Sequence, residues 1–179
     1  MHKENIMTSE EQSLIRFLEG KGRDKYLRTF RSILKHKHNW LWLELTHNYI
    51  QWLFPLRESS SFAYSISLTD DMVEYIKQSP EILHNIKQAF FMMLEFYGFH
   101  YNENTKEIEI IASPLEMKTK WMSPYNHNYL RITRILGCMS IIGYGDLAKK
   151  WLDALEDVTR DIYYCDPSKV YWRDAIYWK

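Results

Sequence analysis

The sequence predicts an all-α fold: a single-domain bundle of about seven helices around a central buried helix, with at most one small β-hairpin. Three observations carry this expectation. Apolar residues recur at spacings of three and four through most of the chain. Helix punctuation brackets those runs, with Ser79-Pro80 and Asp166-Pro167 as starts and Gly98 and Gly143 as stops. Strict alternation is confined to a short stretch around Ile108 and Ile110. The apolar fraction of 46% and aromatic fraction of 16% exclude a disordered chain, and 179 residues can bury a core without disulfides or metal.

The elements follow in order. Ser9-Glu10-Glu11-Gln12 reads as a capping box, with Ser9 as N-cap and Gln12 reaching back. The helix it opens turns Leu14, Ile15 and Leu18 inward and ends near Gly20 and Gly22. A second helix starts near Asp24, with Tyr26, Phe30, Ile33 and Leu34 on one face and Arg28, Arg31 and Lys35 on another. Trp40 to Phe54 is apolar almost all round, which predicts the central buried helix, stopped by Pro55. Ser59-Ser60-Ser61 reads as loop, after which Ser67 or Thr69 caps a short helix carrying Met72, Val73 and Ile76.

Serine at N-cap and proline at the first helical position make Ser79-Pro80 the start of a helix that runs to Tyr97 and stops at Gly98. Residues 99–112 suit a marginal hairpin, and 113–125, with two prolines, read as irregular. Helix returns from Asn126 to about Ile142. Asp146 caps another with Leu147, Trp151, Leu155 and Val158 at helical spacing. Asp166-Pro167 starts a last one, carrying Val170, Tyr171, Ile176 and Tyr177.

Charges balance at 23 of each sign, which argues against a nonspecific nucleic-acid binder. They are unevenly placed: residues 21–37 hold seven Lys or Arg against the single acid Asp24. That segment reads as a solvated basic face or as a nucleic-acid contact. Cys138 and Cys165, each in a helical pattern, read as core thiols. No long apolar run predicts a transmembrane helix, and the N-terminal MHKENIMTSEEQ is too polar for a secretory signal. The expectation is a soluble, intracellular, cytoplasmic protein.

Two stretches nearly repeat each other. Residues 47–57 read HNYIQWLFPLR and residues 127–136 read HNYLRITRIL. On a helix, His47 and Gln51 share a face at four apart, and His127, Arg131 and Arg134 form a second line at i, i+4 and i+7. Arg57 follows Pro55 and joins them; Trp172 and Arg173 wall one side of a groove, or Trp172 anchors the core. Two readings stay open. These residues line a ligand pocket, the arginines presenting planar forks to a carboxylate or phosphate. Alternatively, they satisfy one another and pair with Glu44, Glu58, Glu95 or carboxylates on the last helices. No HExxH, paired CxxC, GxSxG or glycine-rich phosphate loop occurs, so no catalytic residue, metal or cofactor is expected.

The segment THNYIQWLFPLRE at 46–58 closely resembles the signature of the opioid growth factor receptor conserved-region family. MMLEFYGF at 92–99 is similar to that family's next block and HNYLRITRIL to its third, in the same order and spacing. Leu14 to Gly20 with Gly22-Arg23, and Tyr171 to Ala175, resemble its compact bacterial-type members. The resemblance covers residues 13–178 of a chain expected to form one domain over 1–179. It implies an all-helical domain and a receptor for the pentapeptide Met-enkephalin, with nuclear association by analogy with animal members. The functional expectation is a noncatalytic binding module for a peptide or small anionic ligand. The alternatives are an enzyme of unassigned reaction using the His/Arg pocket, and a protein-interaction scaffold.

Overall fold

The computed structural model describes residues 7–179. The reading of the polar N-terminus thus falls partly outside the described residues. Among those residues lie ten α-helices, one 3-10 turn and one antiparallel hairpin, so the fold is mostly α as expected. The excess over about seven comes from short helices that periodicity does not separate. The chain forms two compact units, one closing at Ala89 and the other opening at Phe90.

In the first unit, α1 (Ser9–Leu18) has its capping box one residue earlier than expected. Thr8 Oγ1 accepts from the Glu11 amide at 3.2 Å, and the Thr8 amide donates to Glu11 Oε2 at 2.7 Å. A carboxylate here also meets the positive end of the helix dipole, which the Gln12 amide does not. Leu14, Ile15, Phe17 and Leu18 are buried.

The next helix starts later than expected. α2 (Phe30–Leu34) is capped by Thr29, and the residues before it form a loop with Leu27 at φ +63°. Asp24 shapes that loop. Its Oδ1 accepts from the amides of Tyr26 and Arg28, both at 2.9 Å, and its Oδ2 from Arg28 Nε at 2.7 Å. Tyr26 is exposed, not on the inward face.

The expected helix from Trp40 to Phe54 is two helices, α3 (Trp40–Leu45) and α4 (Ile50–Leu53). Thr46 is extended at ψ 114°, and the Tyr49 hydroxyl donates back to the Leu43 carbonyl at 2.9 Å, which bends the segment. Burial concentrates in Tyr49 to Pro55, whereas Leu41 and Leu45 of α3 are exposed. Phe17 packs between Phe30 and Trp52, with ring centroids 5.4 and 5.3 Å away. α5 (Asp70–Gln78) is capped by Thr69 and buries Met72, Val73 and Ile76, as expected. α6 (Pro80–Tyr97) begins at the Ser79-Pro80 signal, and its Asn85 Nδ2 donates to the Leu18 carbonyl at 2.8 Å.

In the second unit, α6 ends at Gly98, whose φ is +92°. A Cβ there would approach the Ala112 Cβ at 2.6 Å, so both conformation and space call for glycine. β1 (Phe99–Asn102) and β2 (Glu107–Ile110) form the expected hairpin, with Phe99 opposite Ile110. Residues expected to be irregular contain α7 (Pro114–Lys120), capped by Ser113. α8 (Asn128–Ile141), α9 (Gly145–Val158), the turn Tyr163–Cys165 and α10 (Asp166–Ala175) complete the chain. Trp121, Trp151 and Trp172 are fully buried, and Trp151 meets Phe90 edge-on at 5.6 Å.

α10 is rotated from the expected register. Trp172 and Ala175 are buried, while Val170, Tyr171 and Tyr177 are exposed. The buried Lys169 ammonium donates to the Thr159 carbonyl at 2.7 Å and pairs with Asp166 at 2.8 Å, which pins that face inward.

Candidate functional site

The two His-Asn-Tyr segments share one local construction. In each, the tyrosine is buried at the start of a helix and its hydroxyl donates to the carbonyl six residues earlier. Tyr49 reaches Leu43 at 2.9 Å, and Tyr129 reaches Ser123 at 2.8 Å. Burial raises the Tyr129 phenol, and its contact with Cys165 adds to the rise. Both histidines are exposed. His47 lies in the bend before α4, so it and Gln51 do not share a helix face; His127 is the residue before α8.

The segments differ in how their amides are satisfied. Asn128, fully buried, is a hub. Its Oδ1 accepts from the Tyr97 hydroxyl at 3.0 Å and lies 3.5 Å from Arg131 Nη1, while its amide and Nδ2 both donate to Asn126 Oδ1 at 2.9 Å. In the first segment, Asn48 Oδ1, Gln51 Oε1 and Trp52 Nε1 are buried without a hydrogen-bond partner among the described residues. Gln51 is only 5% exposed. Buried polar atoms left in this state cost about 1–3 kcal/mol each, so three in five residues call for an explanation.

The other expected site residues have defined surroundings. Arg57 Nη1 pairs with Asp70 Oδ1 at 2.8 Å. Arg173 pairs with Glu156. Trp172 is fully buried, and its indole nitrogen donates to the Tyr129 carbonyl at 3.1 Å, so it is part of the core of its unit. Arg131 is 5% exposed. Burial lowers the Arg134 guanidinium, with Cys138 acting in the opposite direction. Burial likewise pushes the Cys138 thiol up to about 12, far from thiolate formation near neutral pH.

Residues that periodicity did not flag stand out in the first unit. Asp24 and Arg28 form an ion pair, and Arg28 Nη2 also donates to the Asn48 carbonyl at 3.1 Å, tying the basic loop to the first signature segment. The signal was legible as the lone acid of the 21–37 run. Arg28 also lies over Tyr26, with its Cζ 5.0 Å from the ring centroid. The His36 ring stacks flat on Trp42, with centroids 3.7 Å apart. Among the described residues, no group of three or more His, Cys, Asp or Glu side chains is placed to hold a metal.

His36 makes a pH prediction. Burial, then Arg28, lowers its folded value below the ordinary 6.5. The unfolded chain therefore takes up the proton first. The stabilisation is present above about pH 6.5 and is lost as pH falls toward the folded value. Thermal unfolding should show His36→Gln losing less stability than the parent on going from about pH 7.5 to about pH 5.5. Equal losses would refute the assignment.

Comparison with known proteins adds the family. A profile described as the opioid growth factor receptor (OGFr) conserved region matches residues 23–154, within the expected 13–178. The mouse opioid growth factor receptor-like protein 1 is 38% identical over 110 residues, covering 62% of this chain and 24% of its own. The rat opioid growth factor receptor is 38% identical over 107 residues, covering 60% and 18%. The human opioid growth factor receptor is 38% identical over 101 residues, covering 56% and 15%. The chain thus spans less than a quarter of the length of these curated relatives. All three are mammalian and lend nothing to the expected likeness to compact bacterial members. No solved structure matches the chain. No helix among the described residues is long and apolar enough to cross a membrane. With its three signature blocks all inside the matched span, the chain belongs to the opioid growth factor receptor conserved-region family.

Proposed function

We propose that the chain is a noncatalytic binding module, one domain over its length, whose ligand is a peptide held at the first signature segment. The supporting observation is the set of buried atoms Asn48 Oδ1, Gln51 Oε1 and Trp52 Nε1. Two acceptors and one donor complement a peptide backbone, which offers N–H and C=O groups together. A small anion suits them less, because amide oxygens repel it and Arg57 and Arg173 already face carboxylates. The names of the relatives, receptors for an opioid growth factor, agree with a peptide and suggest Met-enkephalin as the first probe. In this reading His47 and Arg57 form the rim beside Gln51, and His127, Arg131 and Arg134 brace their own segment. An intracellular site of action belongs to the same proposal, in keeping with two free, buried thiols.

Gln51→Leu tests it. Removing a buried acceptor that has no donor should leave stability unchanged or raise it by about 1 kcal/mol. Titration calorimetry with Met-enkephalin and a panel of other short peptides should show binding to the parent, weakened at least about tenfold in the variant. A variant less stable than the parent by 1 kcal/mol or more, on the scale of a lost hydrogen bond of about that size, would make Gln51 structural. Heatless titrations across the panel would end the peptide reading.

A further inference from the structure

The loop before α2 holds an apolar side chain where the backbone least favours one. Leu27 sits at φ +63° and is 73% exposed. A leucine in the left-handed region is strained, and glycine or asparagine takes that conformation more readily. The loop is nevertheless fastened at both ends. The Asp24 amide donates to the Arg28 carbonyl at 2.8 Å, the Leu27 amide to the Asp24 carbonyl at 3.0 Å, and Arg23 Nη1 to the Leu27 carbonyl at 2.7 Å. A built turn thus presents Leu27 to solvent, with Tyr26, also exposed, beside it. Strain of this kind persists where the surrounding structure enforces it, and it gathers at positions a protein uses.

Charge surrounds that tip. Of the seven Lys and Arg in residues 21–37, Lys21 pairs with Glu19 and Glu81, and Arg28 with Asp24. Lys25 lies over the Tyr64 ring, whose hydroxyl donates to Glu10, so its charge is partly answered. Arg23, Arg31 and Lys35 are exposed and make no ion pair among the described residues. Arg23 and Arg31 stand four residues before and after Leu27. α3 is joined to the same loop: Trp42 stacks on His36 at 3.7 Å and lies 5.9 Å from Arg28 Cζ, and the helix exposes Leu41 and Leu45, four apart.

An anionic bilayer matches this combination, because its charged headgroups lie directly above an apolar phase. A nucleic acid matches it less well. Its phosphates suit the cations, but its bases stack on open aromatic faces, and Tyr26, Trp42 and Tyr64 already carry Arg28, His36 and Lys25 against their rings. We infer that residues 23–35 form a peripheral docking surface for an anionic membrane, with Leu27 inserted among the headgroups and Arg23, Arg31 and Lys35 on their phosphates and carboxylates. This surface shares no residue with the buried set at Asn48, Gln51 and Trp52, so Gln51→Leu should leave it unchanged.

The test sediments the full chain with vesicles of phosphatidylcholine alone and of phosphatidylcholine with phosphatidylserine at about one part in four. The chain should bind the second and not the first, more weakly at high salt. Leu27→Asn relieves the backbone and keeps the fold, and binding should fall at least about tenfold for the lost burial of a leucine. Arg31→Glu reverses a charge at the surface and should cause a loss at least as large. Leu27→Cys places a thiol on the tip, whereas Cys138 and Cys165 are buried; an environment-sensitive dye on it should shift to the blue with the mixed vesicles and not with duplex DNA. Three outcomes would overturn the assignment: equal binding to both vesicles, a folded Leu27→Asn or Arg31→Glu protein that binds as the parent does, or a preference for duplex DNA or the acidic peptide Glu-Leu-Glu-Leu-Glu over the mixed vesicles.

Discussion

Trp172→Ala should destabilise the second unit by about 3–5 kcal/mol, the usual cost of truncating a fully buried tryptophan. The side chain is wholly enclosed, meets Tyr129 edge-on with centroids 6.0 Å apart, and donates to the Tyr129 carbonyl. Truncation removes packing, ring contact and hydrogen bond together. Trp172→Phe separates them. It keeps most of the ring volume and loses the indole donor, and the Tyr129 carbonyl still accepts from Thr133 Oγ1 at 3.1 Å, so about 1 kcal/mol is expected from the lost bond. Urea unfolding of both variants checks this. A stable, fully folded Trp172→Ala protein with altered ligand binding would return Trp172 to the groove that its sequence position suggested.

The second large effect belongs to Asp24→Ala, expected to cost about 3 kcal/mol in the first unit. Asp24 is 4% exposed and accepts three hydrogen bonds within the loop, one of them from the Arg28 guanidinium. Without it, Arg28 keeps its contact to the Asn48 carbonyl but loses its counter-charge, and the Tyr26 and Arg28 amides lose their acceptor. Asp24→Asn retains an oxygen for the two amides and removes only the charge, so its loss should be clearly smaller. Denaturant curves that rank the two variants equally would show that the ion pair, not the loop cap, carries the effect. The same variant links to function, because the loop is tied through Arg28 to the segment holding Gln51.

The two predictions also mark where sequence patterns succeed and where they stop. Helix starts set by local chemistry were legible: Ser79-Pro80 opens α6 and Thr69 caps α5. The same rule was available at Ser113-Pro114, yet two prolines in thirteen residues suggested irregular chain. Proline breaks a helix only from its second turn onward, and at the first position it opens one. The split between α3 and α4 was not legible. The apolar run gives no sign of the Tyr49 hydroxyl folding back to Leu43, a contact between atoms rather than a periodicity. The rotation of α10 was hidden for a related reason: Lys169 is buried because the Thr159 carbonyl and the Asp166 carboxylate accept its hydrogen bonds, and the first of these lies ten residues away.

For the candidate site, the family blocks located the right segments, while assignment of individual side chains depended on partners distant in sequence. Arg57 finds Asp70, Arg173 finds Glu156, and Asn128 finds Tyr97. Spacing within one helix cannot indicate such pairs. Within the first signature segment, the residues that the packing leaves wanting, Asn48, Gln51 and Trp52, are neighbours in sequence, but only their surroundings distinguish them from ordinary buried amides and indoles.

The paired tyrosine clasps have a consequence for how the polypeptide first acquires its shape. Each closes a loop of six residues, among the least entropically demanding closures a chain can make. Loops of comparable size close on the order of 10–100 ns, whereas a ribosome adds only about 5–20 residues each second. Both clasps can therefore sample their closed form as soon as their own stretch emerges, one in each half of the nascent protein, long before the last helix has been synthesised.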